Sequence, residues 1–494
     1  MPETVLQAPG ESHYDVLIIG AGMAGMAAAI RLAHFGKKVC LLERHTVIGG
    51  LNSFYKLGGR KYDVGLHAVT NYVPRGVRGT PLVKLLRQLR IHREELDLCE
   101  QLGSKVSFPG EELTFTNDFS VLESEVARAF PGQVDGFRAL AGEVAAFGDL
   151  SGGGGGDPSA RSVIRRHITD RGLEDMLLCP LMYYGSAREG DMDYSQFAIM
   201  FQAVYLEGFA RPFEGVRRLT RTLLRKLREA GAERCMGCGV RELRIDRGRV
   251  AGVILDSGRE VTAGAVLSSA GVTETLRLCR EAREPEPPRN DDNVGRLSFV
   301  ESITVFRGQP RDLGCDNTII FYNDAGRFDY SVPGDLVDPR SGVICFPNNF
   351  DYGDRQLPEG FFRITCLANC DGWCSLPEKE YRAQKERWFE TMVARALKFL
   401  RPVNRETLNE RTLARDMFTP RTITRYTGHI NGAVYGAPKK VKDGCTPYEN
   451  LFLCGTDQGF LGITGAMLSG ISMANRHVLS RKSDKSLEKM TQAP

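Results

Sequence analysis

Gly20-Ala-Gly22-Met-Ala-Gly25 is the first stretch of this 494-residue chain whose residue types and spacing imply chemistry. Three glycines at this spacing fit a turn that cradles a pyrophosphate. The first permits the tight turn, the second lets backbone approach the phosphates, and the third lets helix and strand pack closely. Met23 and Ala24 would open a helix whose N–H groups and dipole favour an anion. Glu43 follows Gly25 by eighteen residues and is suited to accept hydrogen bonds from ribose hydroxyls. Arg44 beside it is suited to a 2′-phosphate, the alternative use of this position.

These residues need a particular scaffold, and the flanking sequence supplies it. Tyr14-Asp-Val-Leu-Ile-Ile19 is a short apolar run suited to a buried parallel strand. An alanine-rich helical stretch follows and ends at Gly36, which fits a left-handed helix terminus. Lys37-Lys-Val-Cys-Leu-Leu-Glu43 then predicts a second strand with the acid at its end. Further on, Phe213-Glu-Gly215-Val-Arg-Arg-Leu219 begins a basic amphipathic helix with Val216, Leu219, Leu223 and Leu227 on one stripe. Its cations, Arg217, Arg218, Arg221, Arg225, Lys226 and Arg228, suit either anionic lipid or a solvated face. Val240–Ile245, Arg249–Leu255 and Glu260–Thr262 predict a meander with Arg-Gly and Ser-Gly turns, and Ala265–Ser269 a further buried strand. The block 76–204 looks helical, including Pro81–Arg90. The block 291–444 alternates strands such as Phe299–Phe306 and Phe362–Ala368 with a helix from Glu378 to Leu400.

Composition narrows the class. Hydrophobic residues at 42% and charged residues at 26% are ordinary for a globular chain and exclude collagen-like, coiled-coil and disordered classes. A net charge of +4 is too small for a nucleic-acid footprint. The N-terminus lacks the basic and apolar regions of a signal peptide, which makes a reducing cytoplasm the expected location. No apolar run of about 18 residues predicts a spanning helix. The 54 glycines are in excess and cluster at Gly20–Gly65, Gly152–Gly156 and Gly455–Gly470. The middle cluster has no anion-binding neighbours and predicts a linker. Cys235-Met-Gly-Cys238 has no partner pair, so no metal site is expected. Cys366, Cys370 and Cys374 are expected as free core thiols, the first two on one face of a strand.

After Glu43 the chain reads Arg44-His-Thr-Val-Ile-Gly49-Gly50-Leu51-Asn52-Ser-Phe, then Tyr62-Asp-Val-Gly65-Leu-His67. This resembles the extended flavoprotein signature of the amine oxidase and phytoene desaturase superfamily, in which the glycine pair lies against pyrophosphate and flavin. Near the far end, Asn450-Leu-Phe-Leu-Cys-Gly455-Thr-Asp457 leads through Gly459-Phe-Leu-Gly462-Ile463-Thr464-Gly-Ala466 into a small-residue helix. Read alone, this is an ordinary buried helix. In the superfamily it closes the cofactor domain, with Asp457 hydrogen-bonded near the ribityl chain and the helix start facing the flavin. Val240 would touch the adenine through its backbone. Two branches look closest, carotenoid cis-trans isomerases and retinol saturases. Asp63-Val-Gly-Leu-His67 resembles the saturase branch, and Ile364–Trp373 with Leu376–Tyr381 is similar to a strand-to-helix segment of plant carotenoid isomerases. One departure is Glu214-Gly215, where the family has two adjacent glycines.

The resemblance implies an α/β fold, with a Rossmann-type FAD-binding domain of the two-dinucleotide-binding type with β-meander and a discontinuous α+β substrate domain. The expected division is 13–75, 205–290 and 445–480 for FAD, 76–204 and 291–444 for substrate, with tails at 1–12 and 481–494. The cofactor contacts expected are Gly20, Gly22, Met23, Ala24, Gly25, Glu43, Arg44, Gly49, Gly50, Leu51, Asn52, Val240, Gly455, Asp457, Ile463 and Thr464. The implied activity is FAD-dependent oxidoreduction at C=C or adjacent C–C bonds of a long apolar isoprenoid, a carotenoid or other terpenoid. Desaturation is favoured; reduced-flavin cis-trans isomerisation and retinol-type saturation are alternatives, and flavin amine oxidation is a rival of another class. Such a substrate binds by burying apolar surface, and Leu177–Tyr184 and Tyr194–Leu206 are candidate lining segments or core helices. His67, Tyr205 and Glu207 are the acid–base candidates. Quinone, oxygen and NAD(P) are open as electron partners, no nucleic acid is expected, and substrate solubility suggests peripheral membrane contact.

Overall fold

The computed structural model describes residues 8–65, 67–148, 157–279, 293–400 and 403–480. The linker predicted at Gly152–Gly156 and the tail segments 1–7 and 481–494 lie outside the described residues.

The apolar run at the start becomes strand β1 (His13–Ile19), with Val16, Leu17 and Ile18 fully buried. Burial on both faces is the signature of a central parallel strand. β1 pairs in parallel with β2 (Val39–Glu43), Val16 opposite Val39, and with Glu260–Ser268, Val16 opposite Ala265. The sheet runs Val240–Asp246, Arg249–Leu255, Glu260–Ser268, β1, β2, Glu233–Met236, and Leu451–Leu453 also pairs with Glu260–Ser268. The two strands expected at Glu260–Thr262 and Ala265–Ser269 are thus one. No turn separates them, because Gly264 stays within the extended strand. Its start pairs antiparallel with Arg249–Leu255 and its remainder parallel with β1, which makes the sheet mixed.

A second seven-stranded sheet runs Thr412–Phe418, Ser298–Phe306, Gly360–Ala368, Val337–Cys345, Ile319–Asn323, Ser104–Phe108, Glu111–Phe115. Its last two strands come from the block expected to be helical. Ser104–Phe108, with Ser104, Val106 and Ser107 buried, and Glu111–Phe115 form a hairpin about the Pro109-Gly110 turn, with Gly110 at φ +88°, that extends the sheet. Two distant stretches of chain therefore share one sheet.

Three helices position the site. Helix α1 (Met23–Ala33) follows β1 and is buried on nearly every face. Helix α2 (Arg171–Gly185) contains Pro180, which removes one internal hydrogen bond shortly before Tyr183 and Tyr184. Helix α3 (Gly462–Ala474) crosses α1 so closely that a Cβ on Gly470 would lie 2.1 Å from the Ala24 carbonyl oxygen. Small residues at this crossing permit the contact.

The cysteines correct one expectation. The strand ends at Ala368, Asn369 caps a short helix, and Cys370 and Cys374 lie on that helix with their sulfurs 3.5 Å apart. Cys366 is a core residue on the strand, and Cys374 is exposed. Among the described residues, no helix is long and apolar enough to cross a membrane.

Candidate functional site

The β1–α1 turn has the shape its glycines predicted. Gly20 has φ +93°, and a Cβ on Gly25 would lie 2.0 Å from the Gly20 carbonyl oxygen. Gly22 differs. Its φ of −73° suits any residue, and a Cβ there would meet nothing within 4 Å. It is the N-cap of α1, with no capping side chain and no acid in the first turn. The first N–H groups of α1 therefore face open space beside the Gly49-Gly50 loop, where Gly49 (φ +114°) bridges to Gly22. Gly65 holds this loop from behind, since a Cβ there would lie 2.4 Å from the Leu51 carbonyl oxygen.

Glu43 is oriented by backbone. Its carboxylate accepts from Ala21 N–H at 2.7 Å and from His45 N–H at 2.8 Å, leaving a lone pair on each oxygen for a further donor. Cys238 N–H donates to the Glu43 carbonyl at 2.7 Å, which sets buried Val240 beside the acid end of β2. Arg44 is exposed, and Leu51 and Asn52 are half-buried on the loop that faces α1.

From the far end of the chain, Gly455 (φ +93°) enters a turn whose N–H is held by Ser469 at 2.7 Å. Asp457 is buried, and its two oxygens accept from Val272 N–H at 2.6 Å and Ala437 N–H at 2.7 Å. It thereby ties three distant segments together. Helix α3 starts uncapped at Leu461, Ile463 and Thr464 are buried, and the Thr464 hydroxyl donates to the Thr70 carbonyl at 3.3 Å. The start of α3 thus lies against the loop that carries His67.

His67 is the centre of a polar cluster that sequence reasoning did not assemble. Its Nε2 lies 3.2 Å from Glu301 and 3.1 Å from the Thr365 hydroxyl. Arg363 donates to the same Glu301 carboxylate and, at 3.0 Å, to the Asp63 carbonyl. Arg211 donates to Asp63 at 2.6 Å and to the His67 carbonyl at 3.1 Å, and Arg217 to Asp63 at 3.0 Å. Burial, aided by Arg363 and Arg211, pulls His67 below the ordinary imidazole range against the opposing pull of Glu301. Burial would raise Glu301, but Arg363 and His67 hold it below the usual carboxylate range. A neutral imidazole thus sits between a carboxylate and a hydroxyl. Gly215 is glycine because a Cβ there would lie 1.8 Å from Asp63 Oδ2, which accounts for that position of the Glu214-Gly215 pair.

The other two acid–base candidates lie apart from this cluster. Tyr205 sits in a π-helical turn, its hydroxyl donating to the Leu177 carbonyl at 3.1 Å, and burial pushes it far above the ordinary phenol range. Glu207 accepts from the Asn71 amide at 2.7 Å, and burial raises it above the usual carboxylate range. The basic helix is explained internally: Arg217, Arg218, Arg221, Arg225 and Lys226 bond to Asp63, Glu95, Glu214 and Glu229.

An aromatic wall surrounds Tyr184. Tyr184 stacks on Phe209 at 5.0 Å and meets Phe321 at 5.6 Å; Tyr183 meets Phe299, which contacts Tyr435 at 5.9 Å. The Tyr184 hydroxyl is buried with no hydrogen-bond partner among the described residues, and it feels the charges of Arg211 and Arg363. A buried polar atom without a partner calls for an explanation, and a bound ligand or water that completes the bond is one.

The uncapped helix starts, the open space at Gly22 and the oriented Glu43 fit a dinucleotide. The model of the flavin containing amine oxidoreductase family matches residues 23–477. The chain belongs to that family. It is a FAD-dependent oxidoreductase of the phytoene desaturase-like group, and its membership implies FAD binding. The chain is 24% identical to a protein named prolycopene isomerase from Arabidopsis thaliana, over 94% of this chain and 83% of that one. It is 24% identical to an all-trans-retinol 13,14-reductase from Danio rerio, over 94% and 86%. It is 27% identical to a neurosporene-forming phytoene desaturase from Rhodobacter capsulatus, over 54% of each chain.

Proposed function

We propose that the protein carries out FAD-dependent chemistry on a C=C bond or its neighbouring C–C bond in a long apolar isoprenoid, a carotenoid or other terpenoid. The observation that carries this reading is the aromatic wall around the Tyr184 hydroxyl, which has no hydrogen-bond partner among the described residues and lies within reach of the charges of Arg211 and Arg363 in the His67 cluster. An apolar chain gains affinity by burying surface against such a wall, and few polar groups are needed to orient it.

Bound FAD supplies hydride acceptance or donation. Gly20, Gly22, Met23, Ala24 and Gly25 would hold its pyrophosphate, with Gly49, Gly50, Leu51 and Asn52 opposite. Glu43 would hold a ribose, Val240 the adenine, and Gly455, Ile463 and Thr464 the flavin end. Asp457 would act there through the backbone it orders, and Arg44 at the surface end of the ribose. In this reading the first sheet belongs to a two-dinucleotide-type domain with a β-meander, and the second sheet to the substrate domain. The division 13–75, 205–290 and 445–480 against 76–204 and 291–444 is supported by the strand content of the two sheets.

The protein's own residues handle the proton. Neutral His67, whose Nε2–H donates to Glu301, can take a proton at Nδ1 when hydride leaves the adjacent carbon, and the Glu301 carboxylate stabilises the imidazolium formed. Run in reverse, the same pair delivers a proton during saturation. Arg363 fixes Glu301, and the Tyr184 hydroxyl is available to bond a polar or polarised part of the substrate. Desaturation stays the favoured direction, with saturation and isomerisation sharing the same residues. Peripheral membrane contact is proposed from substrate solubility.

The test is anaerobic incubation of the FAD-loaded protein, oxidised and then reduced, with carotenoid, squalene-type and retinoid substrates. Turnover by the oxidised form supports desaturation, and turnover by the reduced form supports saturation or isomerisation. Inertness towards all three, together with turnover of simple amines, would defeat the proposal.

A further inference from the structure

A pocket with a void of about 510 Å³, including its open mouth, lies where α2 ends at Gly185 and where Gly459-Phe460 lead into α3. Its charged and amide lining is Arg188, Asp193, Gln196, Lys440, Lys442 and Gln458, beside the hydroxyl residues Ser186 and Ser195. Two of these carry buried atoms without partners: Nε2 of Gln196, a residue 9% exposed, and Oε1 of Gln458, a residue 4% exposed. The Gln458 amide is oriented by its own Nε2, which donates to the Lys442 carbonyl at 2.6 Å. Flipping it would set two carbonyl oxygens against each other, so Oε1 is an acceptor awaiting a donor. Gln196 is placed the other way, its Nε2 donor without an acceptor among the described residues. Leaving both unpaired in a native protein is costly.

The charges are as uneven as the hydrogen bonds. Arg188 pairs with Asp193 at 3.0 Å, and Lys442 pairs with Asp157 at 3.3 Å. Lys440 donates to the Tyr435 carbonyl at 2.7 Å and has no ion-pair partner among the described residues. Burial pulls its pKa down to about 8, against the longer-range attraction of Asp457 and Asp193 and with the repulsion of Arg188. The pocket therefore holds one uncompensated cation, one orphan donor and one orphan acceptor.

These three requirements select a ligand chemistry. A water molecule satisfies both amides but leaves the ammonium without a counter-charge. A carboxylate or sulfate compensates Lys440 and Gln196 but brings only acceptors to Gln458. A phosphate group bearing one proton does all three: its anionic oxygens accept from Lys440 and Gln196, and its P–OH donates to Gln458. Inorganic phosphate carries that proton near neutral pH, and a phosphomonoester, with its second pKa at about 6, takes one up on binding. We propose that this pocket binds a phosphate or phosphomonoester group, supplied by a soluble ligand or by a lipid headgroup. None of the residues assigned to the cofactor lines this pocket, and its occupancy does not depend on the reaction the enzyme performs.

The test is calorimetric titration of the FAD-loaded enzyme with inorganic phosphate at constant ionic strength near neutral pH, with sulfate as the paired probe. The expected result is saturable phosphate binding and at least tenfold weaker sulfate binding. Gln458→Leu should erase the preference for phosphate, and Lys440→Met should weaken phosphate binding at least tenfold while keeping its FAD. The preference of the unaltered enzyme tests the proposal even if a variant folds poorly. Co-sedimentation with phosphatidic acid vesicles that is lost in Lys440→Met and absent with phosphatidylcholine assigns the lipid source; phosphate binding without such co-sedimentation assigns a soluble one. No saturable phosphate heat, equal affinity for sulfate, or binding untouched by Lys440→Met would each overturn the proposal, and water alone would then fill the pocket. Failure of the polyene assay with intact phosphate binding would refute the proposed reaction and leave this site standing.

Discussion

Gly22→Ala separates the cofactor's needs from the protein's own. The backbone at Gly22, φ −73° and ψ −178°, is open to alanine, and the added methyl would meet no protein atom within 4 Å. Alanine is a poorer N-cap than glycine by some tenths of a kcal/mol or more, while restricting the unfolded chain returns about 0.4–1 kcal/mol. The apoprotein should therefore keep its stability to within about 1 kcal/mol. If pyrophosphate lies against Gly22, the methyl overpacks that contact at a cost of about 1–3 kcal/mol, a loss of roughly 5- to 150-fold in FAD affinity. Gly25→Ala is the internal contrast. Its methyl would lie 2.0 Å from the Gly20 carbonyl oxygen, so the turn itself must shift and stability and FAD binding fall together. Melting of the apoproteins by circular dichroism and titration with FAD by flavin fluorescence read both quantities. Wild-type FAD affinity in Gly22→Ala would refute the placement of the pyrophosphate.

Tyr184→Phe should melt at or above the wild-type temperature, because the lost hydroxyl has no partner, yet lower turnover; a clear loss of stability would reveal a hidden bond. His67 is depressed in the folded state, so its neutral form is the one folding favours, and Glu301 is depressed likewise. Stability should therefore fall as pH drops below about 6.5 and again below about 4.3, and His67→Gln should shrink the upper step, to which half-buried His34 also contributes, in denaturation measured against pH. Glu301→Gln removes the carboxylate that is the largest charge partner of buried Arg363 and should cost about 3–5 kcal/mol by urea melting. Cys374, exposed and drawn down to about 7 by hydrogen bonding from Cys370, with help from Arg421, should alkylate well before buried Cys366, and peptide mapping after brief iodoacetamide treatment checks the order.

The cofactor cradle was readable because its parts are contiguous. Strand, glycine turn, helix, strand and acid follow one another between Tyr14 and Glu43, and local turn chemistry decides their arrangement. The His67 cluster was not, since Glu301 lies 234 residues and Thr365 298 residues along the chain from it. Only the pairing of Ser298–Phe306 with Gly360–Ala368, which sets Glu301 opposite Thr365, brings them to one place. A carboxylate and an arginine in otherwise apolar strands, Glu301 and Arg363, were the signal available in the sequence. The hairpin at Ser104–Phe115 was missed because five-residue strands carry little periodicity, and its partner strand lies beyond residue 300. At Cys370 the register of a strand was extended past Asn369, whose side chain instead caps a helix by accepting from Gly372 N–H.

The central claim is that bound flavin exchanges electrons with an apolar polyene held against the Tyr184 wall. Anaerobic mixing of the FAD-loaded protein with carotenoid, squalene-type and retinoid compounds, followed by flavin absorbance, tests it most directly. The account predicts bleaching of the oxidised flavin, or recolouring of the reduced flavin, by at least one of these compounds, slowed in Tyr184→Phe and His67→Gln. A flavin spectrum indifferent to every polyene but bleached by simple amines would contradict it.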